Sequence, residues 1–541
     1  MCCAVSLYVP AVHVTVTRVL VLDGYVDEPG SLGVPPFLGF YPRYMAGAAL
    51  AAGAGVDYAT VDDWRAGLSI SDFDFVALVA GAMVPGKYIV TMPASDKELG
   101  MMISSLKDHG TPMVSAGPIA HHIPGDPAAR LHDIIRNGET EPREVAMEEW
   151  SLWAEMGARI ASQPNSLRPT IAEVETYKGC VRYASGGCLF CLEPGKGEPR
   201  YRMPRDIERE VAALAQSGIK HFRLGGQTCI FSYMALGVGD TETPAPNPDM
   251  LEEMFRGVRK AAPDLQVLHV DNANPAVIAS HPEEARRAAD ILVEHCTAGN
   301  VVALGLESAD PKVARDNNLN STPEQTMAAV KLLNEVGGEI GDSGLPELLP
   351  GINFLGGLRG ETMETYSLNI AFLDSILSSD MLLRRINIRQ VRWPVETPFL
   401  RTEFVRFKRA VRERIDNVML RRLVPEGTVL RNVYTEMAQG HVVYGRQLGS
   451  YPLLIGIPYE TELGEWVDVA VADHGSRSVT GVIFPMDVNT ASLRALEALP
   501  GIGRKRALRI FHARPLCCPD DLMRVLGDAG AAARVLLFIH F

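Results

Sequence analysis

Cysteine is scarce in this chain and unevenly placed. Nine cysteines occur among 541 residues, and none lies between residues 4 and 179. The odd number lacks the even framework of a small secreted scaffold, so we expect reduced thiols or metal ligands rather than disulfides. Long apolar runs are also missing, because no stretch approaches the ~20 residues of a membrane-spanning helix.

A targeting pattern is absent as well. The first 24 residues contain a single arginine and no basic segment ahead of an apolar core, unlike a signal peptide. No repeat or low-complexity tract occurs. A content of 47% hydrophobic and 22% charged residues is that of an ordinary globular protein. We therefore predict a cytoplasmic protein that is not associated with a membrane.

Positive charge is scarce overall but concentrated near the C-terminus. The net charge of −13 argues against a general nucleic-acid-binding protein. Residues 384–422, however, contain 12 lysines and arginines against 4 carboxylates, and residues 491–541 contain 8 against 4. Such runs are often solvated helix faces. The neighbouring motifs must distinguish solvated helix faces from binding surfaces.

The chain has four regions of different texture, and the fold class they predict is α/β. Residues 1–165 alternate short apolar runs with helical stretches, which predicts a parallel, Rossmann-like α/β domain and a connector. Residues 166–422 contain six strand-then-helix units, which suggest a barrel or partial barrel. Short strands with turns at 423–487 predict a small β-barrel. Residues 488–541 are expected to be helical.

Three cysteines in the segment YKGCVRYASGGCLFCLEP indicate the chemistry. Cys180, Cys188 and Cys191 lie within twelve residues and have no fourth cysteine nearby. Three thiolates suit a 4Fe-4S cluster that keeps one iron open for a substrate or cofactor. The alternative is a zinc site completed by a histidine such as His221 or His269.

The cysteines and the strands after them resemble the radical S-adenosylmethionine superfamily over about residues 170–395. The resemblance implies a partial (β/α)6 barrel, a 4Fe-4S cluster, S-adenosylmethionine as cofactor and a reductant such as ferredoxin or flavodoxin. Phe190 matches the family's aromatic residue before the last cysteine. The first gap is seven residues rather than three, and Gly186 and Gly187 allow this longer loop to fold back.

The resemblance also implies cofactor contacts at the strand ends. The turn that binds the amino group of S-adenosylmethionine corresponds to Gly225, Gly226 and Gln227, whose amide oxygen can accept a hydrogen bond in place of the usual carboxylate. Cys229 is either a small buried residue or a group that accepts a radical. Further candidates follow the third to sixth strands: Asp271, Asn272, Glu307, Ser308, Gly356 and Arg389, the last facing either the barrel mouth or the outer helices. The resemblance implies that the backbone passes the adenine at Gly356, where the missing side chain permits a close approach.

The segment LPGIGRKRA near the C-terminus resembles a helix-hairpin-helix. In that motif, backbone N–H groups and a helix N-terminus face a phosphate, and the corresponding residues are Gly501, Ile502, Gly503, Arg504 and Lys505. The alternatives are a plain helix connection or a protein contact. The preceding strands resemble the RNA-binding TRAM domain, and the domain order resembles that of methylthiotransferases. The cysteines for a second cluster are missing, so that route of sulfur insertion is not expected.

The expected function is therefore radical modification of a tRNA or rRNA base. The N-terminal region also resembles cobalamin-binding domains through PPFLGFYPRYMAGAALAAG, although it lacks the Asp-x-His-x-x-Gly motif. The alternative for the N-terminal region is an α/β lid that closes the barrel. Two alternatives stay open: a cobalamin-dependent radical methylase of a protein or small molecule, and a nucleic-acid-binding iron–sulfur protein without radical catalysis. The overall likeness is to archaeal-type radical S-adenosylmethionine proteins with a C-terminal helix-hairpin-helix.

Overall fold

The computed structural model describes residues 18–26, 37–81, 92–120, 123–138, 141–163, 169–391 and 399–541. The prolines of the PPFLGF segment lie outside this part of the chain. The chain forms two compact units. The first comprises Met1–Lys178, Arg200–Gln227 and Asp249–Leu268, and the second Gly179–Pro199, Thr228–Pro248 and His269–Phe541. No helix in the described ranges is long and apolar enough to cross a bilayer.

The first unit begins with a four-stranded parallel sheet in the order β3-β1-β4-β5. The interior strand β4 is buried on both faces, which explains its continuous apolar sequence FVALV. The region therefore has the parallel α/β character that the sequence predicts. Its strands are β1 Arg18–Asp23, β2 Phe37–Leu38, β3 Gly55–Thr60, β4 Phe75–Val79 and β5 Met113–Ala116.

Helices α1 and α5 of this region pack in unusually close contact. A Cβ atom on Gly47 would clash with the backbone of Trp153, and one on Gly157 would clash with the backbone of Arg43. Glycine at both positions therefore sets the distance between the two helices. The helices are α1 Phe40–Ala51, α2 Val61–Arg65, α3 Asp96–His109, α4 Pro127–Asn137 and α5 Met147–Gly157.

A second sheet of the first unit has the order β10-β9-β6-β2. Strand β2, which comes from the N-terminal region, pairs in parallel with β6. The N-terminal region thus contributes a strand to this sheet, which its sequence did not predict. The elements here are β6 Ile171–Glu175, β7 Tyr177–Lys178, β8 Arg200–Tyr201, α6 Pro204–Gln216, β9 His221–Gly225, α7 Pro248–Ala261 and β10 Val267–Val270.

A buried ion triad connects α1 to α6. The carboxylate of Glu210 accepts hydrogen bonds from the guanidinium groups of Arg43 and Arg202, and none of the three side chains is exposed. Burial alone would raise the pKa of Glu210, but the charges of Arg202 and Arg43 outweigh it and lower the pKa. The triad therefore depends on all three charges being present.

Replacing Glu210 by Gln should lower the free energy of unfolding of the first unit by about 3–5 kcal/mol, because two buried guanidinium groups lose their counter-charge. The matched control is Glu208→Gln on the same helix. Glu208 pairs with the exposed Lys260 at 2.6 Å, and its loss should cost less than about 1 kcal/mol. Denaturant titration measures both values, and equal effects would contradict the role of the triad.

The second unit contains a parallel sheet in the order β11-β12-β13. Because the strands are parallel, their carboxyl ends meet at one edge, where Glu307, Gly356 and Gln390 end β11, β12 and β13. The elements are α8 Pro275–Ser280, α9 Pro282–His295, β11 Asn300–Glu307, α10 Pro311–Asp316, α11 Pro323–Gly337, β12 Leu348–Gly356, α12 Met363–Ser378 and β13 Arg385–Gln390.

A closed five-stranded barrel follows, in the order β14-β15-β16-β18-β17, as the sequence predicts. Its interior forms one hydrophobic core with the C-terminal helices and with Leu349 of β12. The bounds are α13 Arg401–Ala410, a π-helix Val411–Asp416, α14 Asn417–Leu423, β14 Val429–Gln439, β15 Val442–Gln447, β16 Leu454–Ile457, β17 Trp466–His474, β18 Ser478–Ile483, β19 Met486–Asp487, α15 Leu493–Glu497, α16 Arg504–Ala513, α17 Pro519–Leu526, α18 Ala529–Leu536 and β20 Ile539–His540.

Candidate functional site

The cysteine loop, residues 179–199, belongs to the second unit and follows β7 in sequence. A single 3-10 turn at Tyr183–Ser185 lies in the middle of the seven-residue gap between Cys180 and Cys188. Gly186 and Gly187 then take φ values of 79° and 59°, in the left-handed region. The glycines therefore reverse the chain as the sequence predicts, because this conformation strains residues with a side chain.

Arg182 holds the loop in place. Its guanidinium donates to the Cys188 sulfur at 3.2 Å, to the Asn318 carbonyl oxygen at 2.8 Å and to the Glu242 carboxylate at 3.0 Å. Asn318 in turn donates to the Gly187 carbonyl oxygen at 2.7 Å. Arg182 is only 4% exposed, so these charged hydrogen bonds are formed in a protected environment. They tie the long gap to the segment after α10.

All three cysteines are free thiols and partly buried. Burial is the main cause of their raised pKa values, and it raises the pKa of Cys188 to about 11. Charge on Cys191 and Cys180 adds to this effect at Cys188. Thiolates that repel one another in this way are stabilised by a bound cationic metal group.

The chemistry of these three thiols fits a multi-iron cluster, because the irons of such clusters are held by cysteine thiolates. A 4Fe-4S cluster needs only these three cysteines and leaves one iron for another ligand. The residues present therefore fit that cluster.

Glu307 is the carboxylate of this site. It ends β11 at an irregularity in the pairing with β12 and has a left-handed φ of 66°. Burial raises the pKa of Glu307 to about 8, and the charge of Arg389 partly offsets this rise. Burial is the main cause of the raised pKa values of Cys188 and Cys191, and the charge of Glu307 adds a smaller contribution. The structure thus brings Glu307 into electrostatic range of the cysteines, in a strained conformation typical of functional sites.

Arg389 lies on the exposed end of β13. Its charge acts on Glu307, so Arg389 lies within electrostatic range of that carboxylate. Ser308 is 1% exposed, and its hydroxyl accepts a hydrogen bond from the Asp310 backbone at 3.2 Å. Ser308 therefore has a local structural role at this strand end. Phe190 is half-buried between two of the cysteines in sequence.

Gly356 differs from the prediction in its surroundings. A Cβ atom there would clash with the ring of Phe404 from α13. The missing side chain therefore makes room for a protein side chain, whereas the sequence suggested room for an adenine. Gly357, with φ of 88°, has more space, since its Cβ atom would be 3.5 Å from Phe399.

The Gly-Gly-Gln turn lies in the first unit. The Gln227 amide oxygen, the predicted cofactor acceptor, accepts a hydrogen bond from the Thr176 hydroxyl at 3.2 Å, and Gln227 is 1% exposed. The predicted acceptor therefore already takes part in a hydrogen bond within the protein. Gly225 and Gly226 have little room for a side chain because Glu173 and Glu175 pack against them.

The candidates after the third strand lie in the second unit. Asp271 is 4% exposed, and the Asn272 carbonyl oxygen accepts a hydrogen bond from Ile230 at 2.9 Å. Cys229 is 2% exposed, and its sulfur accepts a hydrogen bond from the Asn274 backbone at 3.3 Å. Burial raises its pKa. These contacts give Cys229 the environment of a small structural residue, one of the two alternatives from the sequence.

The C-terminal turn connects α15 to α16. Gly501 has a φ of 74°, Ile502 is buried in the core, and Gly503 precedes α16 as its N-cap. Arg504 pairs with Glu497 at 3.2 Å, whereas Lys505 is exposed. The positive charge at this turn is therefore smaller than its sequence implies.

Comparison with known proteins identifies the family. The model described as "Radical SAM superfamily" matches residues 174–368. An uncharacterized protein of Methanocaldococcus jannaschii is 42% identical over 514 residues, which are 86% of this chain and 93% of that protein. One of Archaeoglobus fulgidus is 38% identical over 94% of this chain and 98% of that protein.

Two more distant matches involve named enzymes. A tRNA-2-methylthio-N(6)-dimethylallyladenosine synthase of Desulfotalea psychrophila is 24% identical over 38% of this chain and 40% of that protein. The solved structure of TsrM, a radical S-adenosylmethionine methyltransferase from Kitasatospora setae, aligns with a TM-score of 0.42 and 16% identity, over 69% of this chain and 75% of that one.

The chain belongs to the radical S-adenosylmethionine superfamily. Within it, the chain belongs with the M. jannaschii and A. fulgidus proteins, to which it is similar over nearly its whole length. Its cofactors are accordingly a 4Fe-4S cluster and S-adenosylmethionine.

Sequence reasoning missed Arg182, Glu242 and Asn318. Only Arg182 gave a signal, as a basic residue two positions after the first cysteine. Asn318, with φ of 51°, and Glu242 are far from it along the chain, so only the folded structure brings them together.

Replacing Cys188 by Ala should abolish the cluster, since the remaining two thiolates cannot hold it. The exposed Cys517 gives the matched control, Cys517→Ala. After anaerobic reconstitution, iron analysis and visible absorption should give about four irons per chain in the wild type and control. Retention of a normal cluster in Cys188→Ala would disprove the ligand assignment.

Arg182→Gln should lower the midpoint potential of the cluster, because a positive charge and an N–H···S hydrogen bond are lost. A charged hydrogen bond is worth about 1.5–3 kcal/mol. The control Lys196→Gln removes an exposed cation of the same loop, paired with Glu193 at 2.5 Å. Redox titration followed by electron paramagnetic resonance measures both. Equal potentials in Arg182→Gln and the wild type would refute the role of Arg182.

Proposed function

We propose that this protein is a radical S-adenosylmethionine enzyme that functionalises an unactivated carbon of a tRNA or rRNA base, most simply by methylation. The single observation that carries the radical part is the loop with the three thiols Cys180, Cys188 and Cys191, in which Arg182 donates to the Cys188 sulfur. The RNA part is supported by the C-terminal turn and by partial similarity to a tRNA-modifying synthase.

In this proposal, the three cysteines hold the cluster in the loop that Arg182 fixes. When bound and reduced, the cluster supplies the electron that cleaves S-adenosylmethionine to methionine and a 5′-deoxyadenosyl radical. Glu307, with its pKa raised by burial, would hold a proton or face a cationic group of the cofactor. The amide oxygen of Gln227 would accept a hydrogen bond from the cofactor's amino group.

The C-terminal turn would position the RNA rather than read its sequence. The N-terminal backbone of α16 and the exposed Lys505 offer N–H groups and charge to a phosphate. Arg504 and Arg506 are already paired with Glu497 and Asp528, so the turn alone would contribute a modest affinity. A second source of positive charge is therefore needed for firm binding.

Deletion of the gene should remove one modified nucleoside from tRNA or rRNA. Mass spectrometry of nucleosides from cells with and without the gene measures this without a prior guess of the product. Wild-type protein should restore the nucleoside, whereas Cys188→Ala should not.

Unchanged nucleosides would overturn the RNA assignment. A corrinoid in the purified protein, together with that result, would identify a cobalamin-dependent methylase of another substrate. Failure to form 5′-deoxyadenosine under strong reductant, with the cluster intact, would identify a binding protein without radical catalysis.

A further inference from the structure

Four arginines of the second unit surround a single carboxylate. Arg384 immediately precedes β13 and Arg385 begins it, Arg412 lies in the π-helix, and Arg477 lies between β17 and β18. The Arg477 Nε atom lies 3.9 Å from the carboxylate of Asp416, the last residue of the π-helix, and the charges of all four arginines act on it. We call these five residues the Asp416 cluster.

Positive charge in the Asp416 cluster is not compensated. Four guanidinium groups against one carboxylate give a net charge of +3. Lys408 lies close enough to be affected by Arg412 and Arg477. Burial, followed by the charges of Arg385 and Arg477, lowers the pKa of Arg384 to about 10, and Asp416 is the only described carboxylate that opposes this. A cluster built for stability would pair its charges more evenly.

Two of the arginines are oriented by Tyr451. Arg384 donates to the Tyr451 carbonyl oxygen at 2.6 Å, and the Arg385 guanidinium lies over the Tyr451 ring, 5.1 Å from its centroid. The Nε atom of Arg384 is buried without a hydrogen-bond partner. Arg384 therefore keeps donor capacity that the protein does not use.

Tyr451 is itself fixed by the segment between β15 and β16. It packs against Val301 and Ala303 of β11, and the backbone N–H of Ser450 donates to His269 at 2.9 Å. The small barrel thus reaches the sheet through this segment. Tyr451 in turn holds the arginines of β13 in fixed positions, which reduces the entropy lost on binding a ligand.

The π-helix is a second unusual feature of the cluster. Val411–Asp416 interrupts an otherwise α-helical segment between α13 and α14. Such bulges are rare and frequently occur at functional sites. Here the π-helix carries both Arg412 and Asp416. Arg412 and Arg477 are exposed at the surface, whereas Asp416 is mostly buried, so the cluster has an accessible side.

We propose that the Asp416 cluster binds a phosphate group of the RNA substrate. Guanidinium groups match phosphate oxygens with paired N–H donors, and several of them around one weakly paired carboxylate favour an anion. This proposal rests on the proposed function and supplies the additional charge that the C-terminal turn lacks. Free phosphate offers the same chemistry from another source.

The cluster also has a defined relation to the cysteine site. Arg385 and Arg389 are four residues apart on β13, so they lie on one face of the strand about 13 Å apart. Arg389 acts on Glu307, and Arg385 belongs to the Asp416 cluster. A phosphate bound at the cluster would therefore fix the RNA at a set distance from the reacting end of β13.

The test uses full-length, cluster-loaded protein and a fluorescently labelled, unmodified tRNA transcript. Because Arg412 and Arg477 are exposed, the double variant Arg412→Gln with Arg477→Gln should fold normally, which thermal unfolding checks. We expect its dissociation constant for tRNA to rise at least tenfold. The slope of log affinity against log salt concentration should fall by an amount that corresponds to about two phosphate contacts. Unchanged affinity and salt dependence would overturn the proposal.

Two further variants sharpen the test. Arg414 belongs to the same π-helix but pairs with Asp374 at 2.7 Å. Arg414→Gln should therefore bind tRNA within twofold of the wild type, and an effect as large as that of the double variant would reject a specific site. Asp416→Asn removes the one negative charge and should tighten binding several-fold. Weaker binding by folded Asp416→Asn would count against the proposal.

Inorganic phosphate distinguishes the two sources of the ligand. If phosphate raises the melting temperature of the wild type but not of the double variant, while both bind tRNA equally, the cluster binds a small phosphate and the RNA assignment is overturned. If the wild type binds no tRNA at all but forms 5′-deoxyadenosine, the proposed RNA function itself fails. These two results differ in whether the wild type binds tRNA.

Discussion

The hydrogen bonds of Arg182 are the constraint on which the cysteine site depends. A gap of seven residues between the first two cysteines would leave two thiolates free to separate, and the chain pays conformational entropy to prevent this. Arg182 opposes that cost by binding the sulfur of Cys188, the Asn318 carbonyl and the Glu242 carboxylate together. The long loop is therefore held in place by residues that are distant from it in sequence.

Charges are paired to different extents in the two units of this protein. In the first unit, Glu210 balances two arginines and no side chain of the triad is exposed. In the second unit, Glu307 is within electrostatic range of the thiols of Cys188 and Cys191, and the Asp416 cluster keeps an excess of positive charge. Paired buried charges stabilise the fold, whereas an unpaired excess of charge is stable only where a ligand can supply the opposite charge. The two sites with unpaired charge are those proposed to bind the cofactor and a phosphate.

The C-terminal barrel is integrated with the sheet of the second unit. It shares a hydrophobic core with the C-terminal helices and with Leu349 of β12, and Tyr451 packs on β11. The regions predicted as 423–487 and 488–541 are thus not two independently packed domains. The barrel and the strand ends of this sheet are therefore held in one geometry, which linker-connected domains would not provide.

The sequence alone determined the three cysteines, the parallel N-terminal sheet and the small barrel, because each leaves a local pattern: close spacing, apolar runs between helices, and short strands with turns. It also predicted the turning role of Gly186 and Gly187. Only the tertiary structure decided that Phe404 fills the space at Gly356 and that Arg182 and the Asp416 cluster gather partners distant in sequence. Charge pairing and packing between elements depend on distances in space, and no local pattern records those distances.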